Sequence, residues 1–349
     1  MSTAGALIKT DVSAVQDLLR AHAEPNFWAL LNGWDEYGIV EHDGESDRVV
    51  PGQKIENPIT ATVGALGPTN LKQRTACTPV AGPAQQRGRG PVISRALTSD
   101  TSGTANQPIT WRLDAIRATL VNEPQFAERV AKDMARQAAR AVKIAWYNAC
   151  IGAILAQTSN VRHIKTNTTT PVYTDIMDSL TTMYERRNQI RLAIYHPNYF
   201  NYVEKDLLGA ASAGYRTFEI GDMIVKESLG KWGNMLVLVD ADMPRVAASG
   251  GKYTYYGLHF AMNAGRFTHA PNSPDISFIE TPLTPGVRSV VAQVEVNTAL
   301  NIPGMDFSGS VDSTSGTFTD AQLLDSTNWT EAYSFDHRDV GISAVTAVF

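Results

Sequence analysis

The sequence predicts a mixed α+β protein, and three features indicate this fold class. A long helix is predicted from Glu123 to Gln157, because alanine recurs throughout and neither proline nor glycine interrupts the stretch between Pro124 and Gly152. Strands alternate with helices between residues 166 and 275. Further strand patterns lie before the helix and after it. We therefore expect an α/β unit and a strand system that are organised around the long helix.

The composition is that of an ordinary folded protein. Of the 349 residues, 43% are hydrophobic and 19% are charged, which is enough for a sizeable core. The formal net charge of −5 argues against a nucleic-acid binder that is basic overall. Two cysteines give no disulfide framework. The longest apolar stretch, near residues 144–155, is shorter than a membrane span of about 18 residues, so we expect no membrane contact.

The two faces of the predicted helix differ. At 100° per residue, mostly small apolar residues fall on one side, namely Ala127, Val130, Ala131, Met134, Ala138, Ala141, Ala145 and Ala149. Five cations fall on the opposite side and form a basic stripe of Arg129, Lys132, Arg136, Arg140 and Lys143. Glu128 and Asp133 offer little local neutralisation. We expect close packing on the small face, and on the basic stripe either water, acidic partners or phosphate.

The segments before the helix indicate an arm and a hairpin. Residues 1–50 predict an N-terminal arm with two short helices and a solvated acidic tract. Residues 51–108 are rich in proline and glycine, which excludes a helix. Within them, Ile59–Val63 and Pro91–Leu97 alternate like strands that could pair with each other. We therefore predict an extended two-stranded arm for residues 51–108.

The segments after the helix indicate two more units. Helices are predicted at Tyr173–Ile190 and Pro197–Leu208, with a buried strand at Arg191–Pro197 between them. The region after residue 276 returns to strands, and Ser289–Leu300 is a long alternating one. The chain ends on an apolar stretch, which we expect to be tied into a sheet.

The sequence contains few candidate catalytic or metal-binding residues. It has no glycine-rich phosphate loop, no nucleophile elbow, no zinc-binding helix motif and no paired CxxC. Asp240 and Asp242 follow an apolar strand and could form a metal site or an acid/base pair, but aspartate before Pro244 is also typical of a turn. His196 could act as a base, although a role at the entry of the following helix fits its place before Pro197 better. We therefore predict no catalytic residues, no metal and no cofactor.

The order of these blocks resembles that of the HK97-like major capsid proteins of tailed bacteriophages. Three stretches resemble successive strands and a helix of that family: LAIYHPNYFNYVEKDLLG (Leu192–Gly209), IGDMIVKESLGKWGNMLVLVDADMP (Ile220–Pro244) and YTYYGLHFAMNAG (Tyr253–Gly265). The resemblance covers most of the chain beyond about residue 50. Its motifs are structural rather than catalytic, and the resemblance rests mainly on the order of the blocks.

The resemblance implies an α+β HK97-like capsid fold with four parts. These are an N-terminal arm (1–50), an extended hairpin loop (51–108), an α/β axial domain (166–275) and a peripheral β-sheet domain (109–165 and 276–349) that carries a spine helix at 123–157. Residues 62–104 are expected to lie over a neighbouring subunit. The basic stripe is expected to face the inside of the shell or a neighbouring subunit.

The implied function is that of a non-enzymatic major capsid protein. Copies of the chain would assemble into hexamers and pentamers of an icosahedral shell that encloses double-stranded DNA. The implied location is the virion, and the host cytoplasm during assembly. Expected partners are a separate scaffolding protein, since only about 50 residues precede the hairpin, a portal, and packaged DNA that is bound non-specifically. A decoration protein and covalent cross-links through Lys54 or Lys72 are left open.

Two alternatives remain at this point. An encapsulin-type nanocompartment protein shares the fold and encloses enzymes instead of DNA. A cytosolic α/β enzyme would use Asp240, Asp242 and His196, and it would form a small oligomer with a deep pocket.

Overall fold

The computed structural model describes the greater part of the chain after residue 123 and shorter stretches before it. The described residues are 17, 21, 23, 25, 27, 38–60, 85–96, 109–112, 124–157, 164–167, 171, 173–185, 190–209, 214–220, 223–229, 236–271, 273–284, 287–332 and 341–349. The described positions between 17 and 27 are helical. Lys72, Asp43 (as a side chain) and the stretch 333–340 lie outside the described residues.

The described helices and strands follow the predicted order of a mixed α+β fold. The helices are α1 (Pro124–Ala156), α2 (Tyr173–Glu185), α3 (Pro197–Gly209) and α4 (Asp320–Leu324). The strands are β1 (Val40–Glu45), β2 (Lys54–Thr60), β3 (Gln85–Ala96), β4 (Ile109–Arg112), β5 (Ile164–Asn167), β6 (Ile190–Tyr195), β7 (Gly214–Ile220), β8 (Met223–Leu229), β9 (Leu236–Val239), β10 (Arg245–Ala247), β11 (Tyr253–Ala261), β12 (Gly265–His269), β13 (Asp275–Thr284), β14 (Val287–Asn301), β15 (Met305–Phe307), β16 (Trp329–Glu331) and β17 (Ile342–Val348).

The first sheet is built around the 15-residue strand β14. One edge of β14 pairs with β13 and then with β12, and the other edge pairs with β4 and then with β3. Strand β1 extends the sheet by pairing in parallel with β12. The acidic tract predicted to be solvated is therefore partly a sheet strand, and Glu41 in it binds Arg266 at 2.8 Å.

The predicted hairpin exists, but its strands pair in a different register from the expected one. Strand β2 runs antiparallel to β3, with Lys54 opposite Pro91 and Thr60 opposite Gln85. The expected partner of Ile59–Val63 was Pro91–Leu97, whereas residues 92–96 pair with β14 instead. Val92 and Ile93 are fully buried there. The second half of β3 thus pairs with β14, and its first half pairs with β2 at the edge of the same sheet.

The second sheet has the order β5-β17-β11-β6-β9-β8-β7, with helices α2 and α3 packed against it. The chain's last strand, β17, lies between β11 and β5, which confirms that the C-terminus is tied into a sheet. It joins the sheet of the α/β unit rather than that of β13 and β14, with which its place in the sequence grouped it. Its buried apolar residues complete a core with β11 and β6, and this burial explains the choice of sheet.

Helix α1 begins and ends within one residue of its predicted bounds and lies between the two sheets. Its small face is buried as predicted at Ala131, Met134, Ala138, Ala145 and Ala149, while Ala141 is half-buried. The side chains of Ala127 and Val130 lie outside the described residues.

One aromatic residue of α1 contacts both sheets at once. The ring of Trp146 stacks on Phe260 of β11 at a centroid distance of 6.4 Å and meets Phe267 of β12 edge-on at 5.0 Å. A side chain at Gly265 would come within 2.2 Å of the Trp146 ring, so glycine is needed for this approach. Helix α1 therefore shares one continuous core with both sheets.

Candidate functional site

The structure brings the two predicted site candidates, the basic stripe and the Asp240–Asp242 pair, together. Arg140 Nε donates to Asp242 Oδ1 at 2.7 Å. Lys143 Nζ lies 3.2 Å from Asp240 Oδ2 and 3.6 Å from Asp242 Oδ2. Since α1 carries the cations and the turn after β9 carries the carboxylates, these ion pairs fasten the helix to the second sheet. We call these four residues the helix clasp.

Both oxygens of the buried Asp240 carboxylate have hydrogen-bond partners in addition to the ion pair with Lys143. The Tyr147 hydroxyl donates to Asp240 Oδ2 at 2.7 Å, and the backbone N–H of Asp242 donates to Asp240 Oδ1 at 2.9 Å. The second of these bonds is the turn hydrogen bond expected for aspartate before Pro244. Burial, followed by the charge of Asp240, raises the pKa of Tyr147 well above its usual value. These contacts favour a structural role for the pair, because both carboxylates are held by cations rather than exposed to a substrate.

Burial divides the basic stripe into two parts. Arg129, Lys132, Arg136 and Arg140 are exposed, whereas Lys143 is 8% exposed. Of the three possibilities expected for the stripe, Lys143 has acidic partners, because the turn after β9 covers that end of the face. The sequence also underestimated local neutralisation, since Lys132 pairs with Glu128 at 2.7 Å and Arg136 lies 3.8 Å from Asp133.

A second set of charged contacts holds the root of the β2–β3 hairpin. Arg89 forms a two-point contact with Asp306, through Nε at 2.9 Å and through a terminal nitrogen at 2.7 Å. Arg95 binds Asp320 and the carbonyl of Phe318. The Lys54 ammonium lies 5.8 Å from the centroid of the Phe307 ring. Burial, helped by the charge of Arg89, lowers the pKa of Lys54, while Asp306 opposes the shift.

Sequence reasoning missed the hairpin root. Arg89 and Asp306 are 217 residues apart, and Arg95 and Asp320 are 225 residues apart. No local pattern links such positions. The signal in the sequence was the absence of any acid from residues 57–99, which indicates distant partners for these arginines but does not identify them.

Two histidines of the α/β unit, the candidate His196 and His259, have structural surroundings. His196 Nδ1 accepts a hydrogen bond from the backbone N–H of Asn198 at 3.1 Å, so it caps α3 as expected. Burial lowers the pKa of His196, and nearby Arg245 lowers it further against the effect of Asp240. His259 is fully buried, with the Tyr195 hydroxyl 2.7 Å from Nε2 and the hydroxyls of Ser179 and Ser343 at 3.2 and 3.1 Å from Nδ1. Burial lowers the pKa of His259 to about 3, so it is neutral at ordinary pH.

Neither a metal-binding cluster nor a membrane-spanning helix occurs in the described part of the chain. No group of three or more histidine, cysteine, aspartate or glutamate side chains is placed to hold a metal ion among those residues. No described helix is both long and apolar enough to cross a membrane.

Comparison with known proteins gives structural similarity without sequence similarity. No protein-family model matches the chain, and neither does any curated protein. The capsid of Ralstonia phage GP4 is similar with a TM-score of 0.48 and 10% identity, over 78% of this chain and 85% of that one. A structure from Microbacterium phage Oxtober96 gives a TM-score of 0.47 and 11% identity, over 88% and 89% of the two chains.

An encapsulin is also similar, at a lower score. The holo-SrpI encapsulin complex of Synechococcus elongatus gives a TM-score of 0.32 and 10% identity, over 75% of each chain. Several other similar structures are also phage capsids, such as that of cyanophage Pam1, with a TM-score of 0.44 and 9% identity over 76% of this chain and 86% of that one. Phage capsids are thus among the structures to which the chain is similar, at 9–10% identity.

Proposed function

We propose that the chain is the major capsid protein of a tailed phage, whose copies assemble into an icosahedral shell around double-stranded DNA. The observation that carries this proposal is the placement of α1. One face of this helix shares a core with both sheets through Trp146, and the helix clasp ties the same helix to the second sheet. Together with the β2–β3 hairpin, this placement supports the order of blocks that resembles HK97-like capsid proteins.

The proposal assigns the chain a structural role and not an enzymatic one. The aspartates that an enzyme would use are neutralised in the helix clasp by Lys143 and Arg140. His196 is occupied as a helix cap. These contacts favour a shell subunit over a cytosolic α/β enzyme.

The finer parts of the proposal follow from the resemblance. Copies of the chain would form hexamers and pentamers with the help of a separate scaffolding protein, in the host cytoplasm, and would remain in the virion with a portal. The four-part division into N-terminal arm, hairpin loop, axial domain and peripheral domain belongs to the same proposal. The overlapping arm would lie before residue 92, because residues 92–96 belong to the first sheet. Residues 61–84 of this arm lie outside the described residues.

The exposed end of the basic stripe has a proposed role inside the shell. Arg129, Lys132 and Arg136 are exposed on α1, and we propose that they face packaged DNA or a neighbouring subunit. Contacts with phosphate are independent of sequence and weaken as salt rises. Non-specific contact with a packaged genome therefore fits this surface better than sequence recognition does.

Sedimentation and electron microscopy of the purified protein test the proposed function. The chain, alone and with a candidate scaffolding protein, should form closed particles of uniform size at high protein concentration. Particles that enclose co-produced enzyme rather than DNA would indicate an encapsulin-type compartment. A chain that stays a small oligomer under all these conditions contradicts the proposal.

A further inference from the structure

Aromatic rings and cations form a row across one face of the second sheet and onto helix α3. Tyr253 and Tyr255 lie two residues apart on β11, so their side chains point to the same face of the sheet. Phe349 follows β17 and lies opposite Tyr253, to which it is joined by two backbone hydrogen bonds. We call the whole set the aromatic row, and its members are Arg245, Tyr253, Tyr255, Phe349, Tyr202 and Lys205.

The four rings of the row contact one another in succession. The ring centroids of Tyr253 and Tyr255 are 6.3 Å apart, and Tyr255 stacks on Phe349 at 4.6 Å. Phe349 in turn meets Tyr202 of α3 edge-on at 4.9 Å. The row is therefore one continuous surface, although its members come from two strands, a helix and the residue after β17.

A cation covers one face of the tyrosine at each end of the row. The guanidinium carbon of Arg245 lies 4.6 Å from the centroid of the Tyr253 ring. At the other end, Lys205 Nζ lies 5.6 Å from the centroid of the Tyr202 ring. Both cations are exposed, so each is attracted to a ring and also accessible to a partner.

The positive charge of the row is not neutralised within the described part of the chain. Neither Arg245 nor Lys205 forms an ion pair with any residue that the structure describes. Two acids lie close to these cations in the sequence. Asp242 is held in the helix clasp, and the half-buried Glu204 has an interaction of its own. The row therefore presents a positive surface to a partner.

The two end tyrosines also have groups that attract an anion. Tyr202 is 36% exposed and Tyr253 is 37% exposed, whereas Tyr255 is buried and accepts a hydrogen bond from the Asn198 amide at 3.1 Å. The hydroxyls of Tyr202 and Tyr253 have no hydrogen-bond partner among the described residues. An aromatic ring has a negative face and a positive edge. Since a cation lies over one face of each exposed ring, that cation, the ring edge and the hydroxyl all attract a carboxylate.

The row fits an acidic protein segment better than single-stranded nucleic acid. Successive bases bind by stacking on the faces of aromatic side chains. In the row, cations cover one face of Tyr253 and of Tyr202, and the rings of Tyr255 and Phe349 cover each other. Tyrosine and arginine are enriched in protein–protein interfaces, where they contribute much of the binding energy and tend to contact similar residues of the partner.

We propose that the aromatic row is a docking site for an acidic protein segment that carries aromatic side chains. Carboxylates of the segment contact Arg245 and Lys205 at the ends of the row, and its rings pack against Tyr253 and Tyr202. The successive contacts of the row add to at most about 26 Å, which an extended segment of about eight residues can span. The docking site belongs to the surface of a single chain and does not depend on the proposed function.

Charge reversal at the ends of the row tests the docking. The probe is a fluorescein-labelled peptide of about eight residues that alternates glutamate and tyrosine, and its binding to the full chain is measured by fluorescence anisotropy at low salt. Arg245→Glu/Lys205→Glu should weaken binding about tenfold or more, because both ends of the row then repel the peptide. Arg48→Glu/Arg191→Glu, which changes the net charge equally at exposed positions outside the row, is the matched control and should change binding little. Circular dichroism first verifies that each variant is folded.

A second peptide tests the aromatic contacts. A peptide that alternates glutamate and serine has the same charge but no rings, and it should bind the wild type about threefold more weakly or worse. Tyr253→Ser/Tyr202→Ser should weaken binding of the tyrosine peptide more than binding of the serine peptide. Equal losses for the two peptides would contradict packing between the rings of the row and those of the partner.

A thymidine oligonucleotide of similar length tests the competing partner. If it binds more tightly than the tyrosine peptide and loses affinity in the variants of the row, the row binds nucleic acid and the proposal is overturned. A tyrosine peptide that does not bind the wild type, or that binds the row variants and the control variant equally well, overturns it too. None of these results depends on whether copies of the chain form a shell, so the docking and the proposed function can fail separately.

Chemical acetylation of lysines locates the bound peptide. Lys205 is exposed in the row, and Lys132 is exposed on the basic stripe of α1. At a saturating concentration, the tyrosine peptide should slow acetylation of Lys205 and leave that of Lys132 unchanged, as measured by mass spectrometry of the digested protein. Protection of Lys132 without Lys205 would place the peptide on the basic stripe, and equal protection of both would indicate non-specific binding. Either result would overturn the docking.

Discussion

The two ends of the basic stripe on α1 carry similar residues but differ in burial and in their ion-pair partners. Near the start of the helix, Arg129, Lys132 and Arg136 are exposed, and the ion pairs found there are local. Two turns farther along, Lys143 is buried against Asp240 and Asp242. The difference shows that the role of a charged helix face depends on the segments that pack over it. Residue type and helical spacing alone do not determine that role. If burial decides the role of a residue, changes at buried positions should destabilise the fold more than changes at exposed ones.

The largest effect is expected at the buried end. Lys143→Met keeps an unbranched side chain but leaves the Asp240 carboxylate buried without its cation, which should lower the free energy of unfolding by about 3–5 kcal/mol. Urea unfolding measures this change. Lys132→Met at the exposed end is the matched control, with an expected loss within about 1 kcal/mol. Adding Asp240→Asn to Lys143→Met should recover part of the loss; a double variant as unstable as the sum of its parts would contradict the pairing.

Acid should destabilise the protein through its buried histidine. The pKa of His259 is lowered to about 3 in the folded chain, whereas an unfolded histidine titrates near about 6.5. The unfolded state therefore binds more protons in this window, and stability is lost as pH falls below about 6.5. This group alone should lower the free energy of unfolding by about 2 kcal/mol between pH 7 and pH 5.

The matched control for this pH effect is His259→Gln. It loses native hydrogen bonds and is less stable at every pH, but it removes the titrating group. Urea unfolding curves of this variant should therefore depend less on pH between 7 and 5 than those of the wild type. An unchanged pH dependence would show that His259 is not the group responsible.

An intermediate effect is expected where α1 meets helix α4 and strand β16. A side chain at Gly152 would come within 2.2 Å of the Leu323 carbonyl oxygen and 2.8 Å of the Trp329 indole nitrogen. Gly152→Ala should therefore destabilise the fold by about 1–3 kcal/mol, although alanine favours a helix by about 0.5–1 kcal/mol. Thermal unfolding measures the effect. Gln137→Ala on the exposed face should be nearly neutral. A stabilising Gly152→Ala would show that Leu323 and Trp329 pack less closely against α1.

The smallest effect on stability is expected at the exposed end. Arg129→Gln/Arg136→Gln should change the free energy of unfolding by about 1 kcal/mol or less, because exposed ion pairs contribute little. If this surface faces DNA, empty particles should form normally and filled ones should lose DNA more readily at low salt than the wild type. If it faces a neighbouring subunit, assembly should weaken before any DNA enters. Normal assembly with normal retention of DNA would leave the surface as simply solvated.

The parts of the fold that the sequence predicted are those set by local patterns. Helix α1 was placed within one residue at each end, because alanine content and the absence of helix breakers act within the segment itself. Strand β14 and the His196 cap follow from alternation and from Pro197 in the same way. These features need no knowledge of the rest of the chain.

The parts that could not be predicted depend on distant segments. The register of the hairpin was wrong because residues 92–96 pair with β14, about 200 residues later in the chain, rather than with the nearer strand. The burial of Lys143 was missed because helical periodicity gives the direction of a side chain and not what lies above it. In the same way, Asp240 and Asp242 were seen as a pair, but the cations that hold them come from a helix about 100 residues earlier.

Cryo-electron microscopy of particles formed by the purified chain is the decisive test of the proposed shell. We expect icosahedral shells of hexamers and pentamers. In every subunit a helix about 50 Å long should be visible as α1, with its charged face towards the interior or a neighbour. A small oligomer with simple rotational symmetry, in which the chain encloses no interior, would contradict it.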